Sequence, residues 1–248
     1  MWDVPLELTL REGFYAGVME LIVLWDIDHT LIDNSGVSKE IYAAAFAALA
    51  GAAPTRPART EGRTDRLIMR DMFALDGLPE LDWSVVEAAL ARAGEERFED
   101  LRRRGSALPG VREILKAVSA QADWVSSVLT GNIAANAHVK VSAFGLNPLL
   151  DLSVGAYGAD ALQRPDLVAV ARERAQRLRG VRDGAPVVLV GDTPRDVEAA
   201  LATGSGIIAV ASGIHTPQEL VAAGASEVMP DLSDTAHLLQ ILDTFAAR

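Results

Sequence analysis

The chain has 248 residues, 50% of them hydrophobic and 23% charged, with a formal net charge of −11 and no cysteine. That length and apolar content support one large domain or a domain carrying an insertion. The acidic excess opposes binding to nucleic acid or an anionic membrane, and the missing thiols exclude disulfides and thiolate zinc sites.

The first stretch, "MWDVPLELTLREGFYAGVME", mixes Asp3, Glu7, Arg11 and Glu12 among its apolar residues. It has neither the basic start nor the continuous apolar run of a signal peptide. Residues 1–20 read as an N-terminal extension, and Met19 is a second candidate start. The run Ile41–Ala53 is shorter than the ~20 residues of a membrane helix. A soluble, cytoplasmic protein is expected.

Leu21–Trp25 is the first strand-like run. From Ser35 to about Arg104 no strand-like run follows. That segment reads as helices over Lys39–Ala50, Asp65–Leu75 and Trp83–Arg104, the last with a break near Gly94, separated by "GAAPTRPARTEGRT" and "DGLPELD". "LPGV" then turns into a helix over Val111–Ala120. Further strands are predicted at Trp124–Leu129, Leu152–Ala156, Val187–Val190, Ile207–Val210 and Glu227–Met229. Between and after them lie helices at Asn132–Phe144, Asp166–Leu178, Pro194–Thr203, Pro217–Ala223 and Asp234–Ala247. Apolar strands alternating with helices predict an α/β fold, a Rossmann-like parallel sheet flanked by helices. The all-helical block, residues 36–107, reads as a cap inserted into a core of 21–35 and 108–248.

The strand "LIVLW" runs directly into Asp26 and Asp28. Carboxylates at the end of a core strand cost several kcal/mol unless offset. Ligands of open α/β sheets bind beyond the carboxyl ends of the strands. Three other polar clusters stand at such places: "LTGN" (129–132), Arg164–Pro165, and "VGDTPRD" (190–196). Asp26, Asp28, Asp192 and Asp196 packed together repel unless a cation joins them, and an all-oxygen set suits Mg²⁺. An ionised Asp26 can attack phosphorus, and Asp28 can hold the leaving group's proton. Thr130, with the backbone N–H groups of Gly131 and Asn132 at a helix start, and the cation Arg164 supply an anion site.

"DIDHT", "LTGN", the Arg–Pro before a helix and "GDTPRD", in that order, resemble the four motifs of the haloacid dehalogenase-like hydrolase superfamily. The helical block is similar to its C1-type cap, as in enzymes of the phosphoglycolate phosphatase and β-phosphoglucomutase kind. The resemblance implies Asp26 as nucleophile and Asp28 as general acid and then base. It implies Mg²⁺ held by Asp26, the backbone carbonyl of Asp28 and Asp192, with Asp196 supporting or ligating, and the phosphoryl group bound by Thr130 and Arg164. His29 stands where many relatives have glycine, and Arg164 where lysine is common; His29 is read as packing or capping its loop.

A dehalogenase of this superfamily lacks an acid at the second aspartate, whereas Asp28 is present, so a phosphatase acting on a small phosphorylated metabolite is expected. A phosphosugar mutase is the alternative, and an inactive binding module is a weaker one. The lysines are Lys39, Lys116 and Lys140, and only Lys39 lies near the block, which argues against a Schiff-base route. In "EGRTDR" (61–66), Gly62 permits a close approach, Thr64 can cap the next helix, and Arg63 can reach a substrate anion. "DNSG" (33–36) reads as the hinge between core and cap.

Overall fold

The computed structural model describes residues 21–247, so Trp2, Met19 and the rest of the N-terminal extension lie outside the described residues. Five parallel strands form one sheet in the order β4-β1-β5-β6-β7: β1 (Leu21–Trp25), β4 (Trp124–Val128), β5 (Val187–Gly191), β6 (Gly206–Val210) and β7 (Glu227–Met229). β1 lies between β4 and β5, and all five of its residues are buried.

Alternation along the strands divides the core into two layers. Leu21, Val23, Trp25, Val188 and Val190 face α5 (Val111–Ser119) and α10 (Thr235–Ala246). Ile22, Leu24, Val187 and Leu189 face α7 (Arg164–Arg179) and α8 (Pro194–Ala202). Helices on both faces explain why these strands read as unbroken apolar runs. α9 (Pro217–Ala222) and α6 (Ala134–Ala143) complete the core's helices.

Between the short antiparallel strands β2 (Ile32–Asp33) and β3 (Ser106–Ala107) stand four helices: α1 (Val37–Ala50), α2 (Asp65–Leu75), α3 (Trp83–Glu96) and α4 (Phe98–Arg104). They bury a cluster of their own, including Ile41, Phe46, Met69, Phe73 and Leu90, which only Ile133 joins from the core among its fully buried members. Phe46 and Phe73 meet with ring centroids 5.0 Å apart.

Two expected elements differ. Leu152–Ala156 is not a strand: Asp151 Oδ1 accepts from Ser153 N and Oγ, a side-chain turn that competes with the ladder, and only Ala156 bridges to Leu129. The break between the last two helices of the block falls at Arg97, not Gly94. Gly94 stays helical and buried, so close to α6 that a Cβ there would lie 2.0 Å from Asn136 Oδ1, which is why glycine stands at this position. Among the described residues no helix is long and apolar enough to cross a membrane.

Register decides where the chemistry lies. Trp25 pairs with both Val128 and Val190, so β4, β1 and β5 end level with one another. Residues that follow them emerge on one rim. Because β1 is the middle of these three, trimming it is felt on both sides. Leu24→Ala is expected to lower unfolding stability by about 2–5 kcal/mol, read from the urea midpoint at an unchanged slope; a loss under about 1 kcal/mol contradicts the close packing of this layer.

Candidate active site

The rim gathers carboxylates from two strands and one helix. Asp26 leaves β1 with its N–H donating to Val190 O at 2.9 Å, which ties it to the neighbouring strand. Asp192 follows β5, and its Oδ1 accepts from Thr30 Oγ1 at 3.2 Å. Asp196 sits in the first turn of α8, where it forms a reciprocal cap with Thr193: the Thr193 N–H and hydroxyl both donate to Asp196 Oδ2, at 3.0 and 2.7 Å. Asp26, Asp192 and Asp196 each offer an oxygen within 4.8 Å of the others, and all three are buried.

Arg164 supplies the counter-charge. Its Nη2 lies 3.0 Å from Asp26 Oδ1 and 2.5 Å from Asp196 Oδ1, and donates to Leu129 O at 3.3 Å. Asp192 has no ion pair with Arg164 among the described contacts, so the guanidinium fills the Asp26–Asp196 edge of the triangle. Asp196 is therefore the most committed of the three, with Arg164 on one oxygen and Thr193 on the other. The Nε of Arg164 is buried without a partner, an N–H available to an incoming acceptor.

One cation does not balance this group. Burial pushes the Asp26 carboxyl up to about 6; Arg164 opposes the rise, and Asp196 and Asp28 add to it. Burial, then Asp26 and Asp196, hold Asp192 well above the usual carboxylate range. An all-oxygen set of crowded, buried carboxylates, two of which resist ionisation, fits a hard divalent cation, which would relieve their repulsion.

Asp28 belongs to a second cluster. Its Oδ1 accepts from Asn34 Nδ2 (2.7 Å), Ser38 Oγ (3.1 Å) and Lys140 Nζ (2.9 Å), and its Oδ2 from Asn132 Nδ2 (2.9 Å) and Lys140 Nζ (2.6 Å). Burial acts to raise this carboxyl, but the Lys140 ammonium and these hydrogen bonds prevail and hold it at about 2. Lys140 also donates to Asn132 Oδ1 at 2.6 Å. Sequence reasoning passed over Lys140 as distant from the helical block. The signal was its place in α6, where Asn136, Ala137, Lys140 and Val141 form one buried stripe. A lysine in such a stripe needs a buried acceptor.

Thr130, Gly131 and Asn132 form the turn after β4, adjoining the same cavity as Asp26, Asp28, Arg164 and Asp192. Asn132 Nδ2 also donates to Thr130 Oγ1 at 2.7 Å, joining the turn to the Asp28 cluster. The cavity has a volume of about 280 Å³, and its opposite wall comes from the helical block: Ser38, Lys39, Tyr42, Glu61, Gly62 and Arg63. The loop before α2 lies directly on the turn. Asp65 N donates to Gly131 O at 2.7 Å, and a Cβ on Gly131 would lie 1.9 Å from Arg63 O, so only glycine fits. Beneath it, buried Asp65 accepts from Tyr42 OH at 2.5 Å and Ile133 N at 2.8 Å.

Three further expectations meet the structure here. Thr64 caps α2, accepting from Leu67 N at 3.4 Å. Arg63 lines the cavity, but its guanidinium turns to Asp71 at 2.5 Å and to Leu67 O. His29 has φ +63, a left-handed conformation that glycine adopts without strain, and its carbonyl accepts from Ser212 Oγ at 2.5 Å. Those contacts agree with a loop-shaping role.

Comparison with known proteins matches residues 23–201 to the family model described as haloacid dehalogenase-like hydrolase. A protein of Dickeya dadantii described as "Probable phosphatase IndB" is 29% identical over 227 residues, covering 89% of this chain and 95% of its own length. Among solved structures, a hydrolase from Pseudomonas syringae aligns with a TM-score of 0.61 at 20% identity, over 90% of this chain and 99% of its own. CbbY from Rhodobacter sphaeroides, solved in complex with phosphate, aligns with a TM-score of 0.61 at 18% identity, over 88% and 96% of the two chains. At these identities the solved structures attest the fold.

The raised Asp26 carboxyl has a consequence for stability. Between about pH 4 and about pH 6 the native state keeps a proton on Asp26 that the unfolded chain has released, so this group's contribution weakens stability as pH rises through that window. Asp26→Asn removes the effect. In chelator, urea unfolding at pH 7 is expected to show the variant more stable by on the order of 2 kcal/mol, with the gap closing by about pH 4. A variant less stable than the parent at pH 7 would contradict the charge crowding.

Proposed function

The chain belongs to the haloacid dehalogenase-like hydrolase family, and we propose that within it the protein is a Mg²⁺-dependent phosphatase that cleaves a small phosphomonoester through an aspartyl-phosphate intermediate. The observation that carries the reading is the triangle of Asp26, Asp192 and Asp196 oxygens beside Arg164, of which Asp26 and Asp192 line a cavity of small-metabolite size. The similarity to a protein described as a phosphatase supports the same reaction.

In this reading Asp26, Asp192 and the backbone carbonyl of Asp28 hold Mg²⁺, with Asp196 in support. When bound, the ion screens the carboxylates from one another and polarises a phosphoryl oxygen. The protein's own groups do the rest. Thr130, the N–H groups of Gly131 and Asn132, and Arg164 through its unpartnered Nε grip the phosphoryl oxygens. An Asp26 oxygen attacks phosphorus, the bond to the leaving oxygen breaks, and Asp28 gives that oxygen its proton. Asp28, anionic again, then takes a proton from the water that hydrolyses the acyl phosphate. Its resting environment favours the anion, so the acid role requires a proton taken up as the phosphate dianion enters the closed site.

The helical block acts as the cap, with the segment around Asn34–Gly36 as its root. Its loop rests on the turn at Gly131, an arrangement that keeps bulk water from the phosphoryl group. Arg63 reaches a substrate anion only by releasing Asp71. No nucleic acid or membrane enters this scheme; the partner of this acidic, cytoplasmic chain is a small phosphorylated metabolite, and the cations that line its cavity are Arg164, Arg63 and Lys39, the last paired with Glu61 at 3.8 Å.

A phosphate-release screen over phosphorylated metabolites tests the proposal. Turnover is expected with Mg²⁺, to vanish in chelator and in Asp26→Asn, and to fall roughly 10²–10⁴-fold in Asp28→Asn. Turnover in chelator or in Asp26→Asn contradicts it. Conversion of a sugar phosphate to its isomer with no net phosphate release would instead establish the mutase reading.

A further inference from the structure

We infer that Lys140 is a positioning residue for Asp28, pinning that carboxylate to the core of the molecule in the orientation that leaving-group protonation requires. The inference rests on the phosphatase reading and goes beyond it to a residue outside the four motifs.

Three observations carry it. Lys140 is 2% exposed and does not line the cavity, whereas Asp28 does, so anything Lys140 does for a substrate passes through Asp28. Its ammonium has three N–H donors, and three oxygens take them: both of Asp28 and Oδ1 of Asn132. No donor is left over for a substrate, and a saturated ammonium is no nucleophile. Last, the donors to Asp28 come from two bodies. Asn34 and Ser38 stand at the root of the helical block, while Asn132 and Lys140 belong to the core turn and to α6. Lys140 alone reaches both carboxylate oxygens, which fixes the plane of the group. Without it Asp28 is held mainly by side chains at the root of the block, and by a single Asn132 contact on the core side.

A residue that acts only by positioning Asp28 affects substrates according to their need for a proton. An alkyl phosphate needs its leaving oxygen protonated as the P–O bond breaks; 4-nitrophenyl phosphate expels a stable phenolate and does not. The ratio kcat/KM covers only the steps through that cleavage, so later hydrolysis of the phosphoenzyme does not enter.

Lys140→Met and Lys140→Gln, the second keeping a donor should the first fail to fold, are to be compared with the parent on an alkyl phosphate and on 4-nitrophenyl phosphate. For the alkyl phosphate kcat/KM is expected to fall about 100-fold or more, and for the aryl phosphate less than about fivefold, with the larger change in kcat rather than KM. Parallel losses on both substrates, or no loss on either, overturn the inference and leave Lys140 a structural ion-pair partner. The alkyl phosphate is one that the metabolite screen shows to be turned over. A parent enzyme that hydrolyses no phosphomonoester in that screen overturns the phosphatase reading itself, whereas a parent active on both esters, with Asp26→Asn inert, shows that reading intact and isolates the question of Lys140.

Discussion

Asp26 and Asp192 stand at the ends of adjacent buried strands, close enough that burial and the Asp26 charge together resist the ionisation of Asp192. Register alone brings them there: the pairing of Trp25 with Val190 leaves no freedom to slide one past the other without turning every core side chain of β1 to the wrong face. The fold thus holds like charges together by the same hydrophobic pattern that builds its core. Every nearby feature answers that crowding. Arg164 neutralises one edge, Thr30 donates to Asp192, and Thr193 satisfies Asp196, while the remaining excess of negative charge suits a divalent ion.

The second cluster solves a different problem with different means. Asp28 is two residues from Asp26 but turns into a pocket of donors, where Lys140 and two asparagines overcome the cost of burial. Two carboxylates of one short segment are thereby pushed apart: Asp26 upward by burial, Asp28 downward by Lys140. Separation of that kind assigns unlike roles to like groups. The helical block shares in it, because Asn34 and Ser38 touch Asp28 and the Asp65 loop rests on Gly131.

Much of this was legible in the residues. Continuous apolar strands alternating with amphipathic helices place the parallel sheet, and a carboxylate pair directly after the first strand marks the rim. "GDTPRD" signals both the strand end and the helix cap, and the structure uses Asp196 for that cap as well as for Arg164. What escaped were contacts between distant segments. Lys140 acquires its meaning only when α6 meets the segment that follows β1, where Asp28 lies 112 residues away in sequence. Arg63 looked free because its partner Asp71 lies two turns into the next helix. Leu152–Ala156 has strand-like composition, yet Asp151 diverts the chain through a local turn that periodicity does not register.

The most direct measurement asks where the phosphoryl group goes. Enzyme mixed with Mg²⁺ and a turned-over phosphomonoester, quenched in acid and reduced with borohydride, should carry an alcohol in place of the carboxyl at Asp26, located by peptide mass spectrometry and absent without substrate. Reduction at another residue, or none under conditions where phosphate is released, would contradict attack by Asp26.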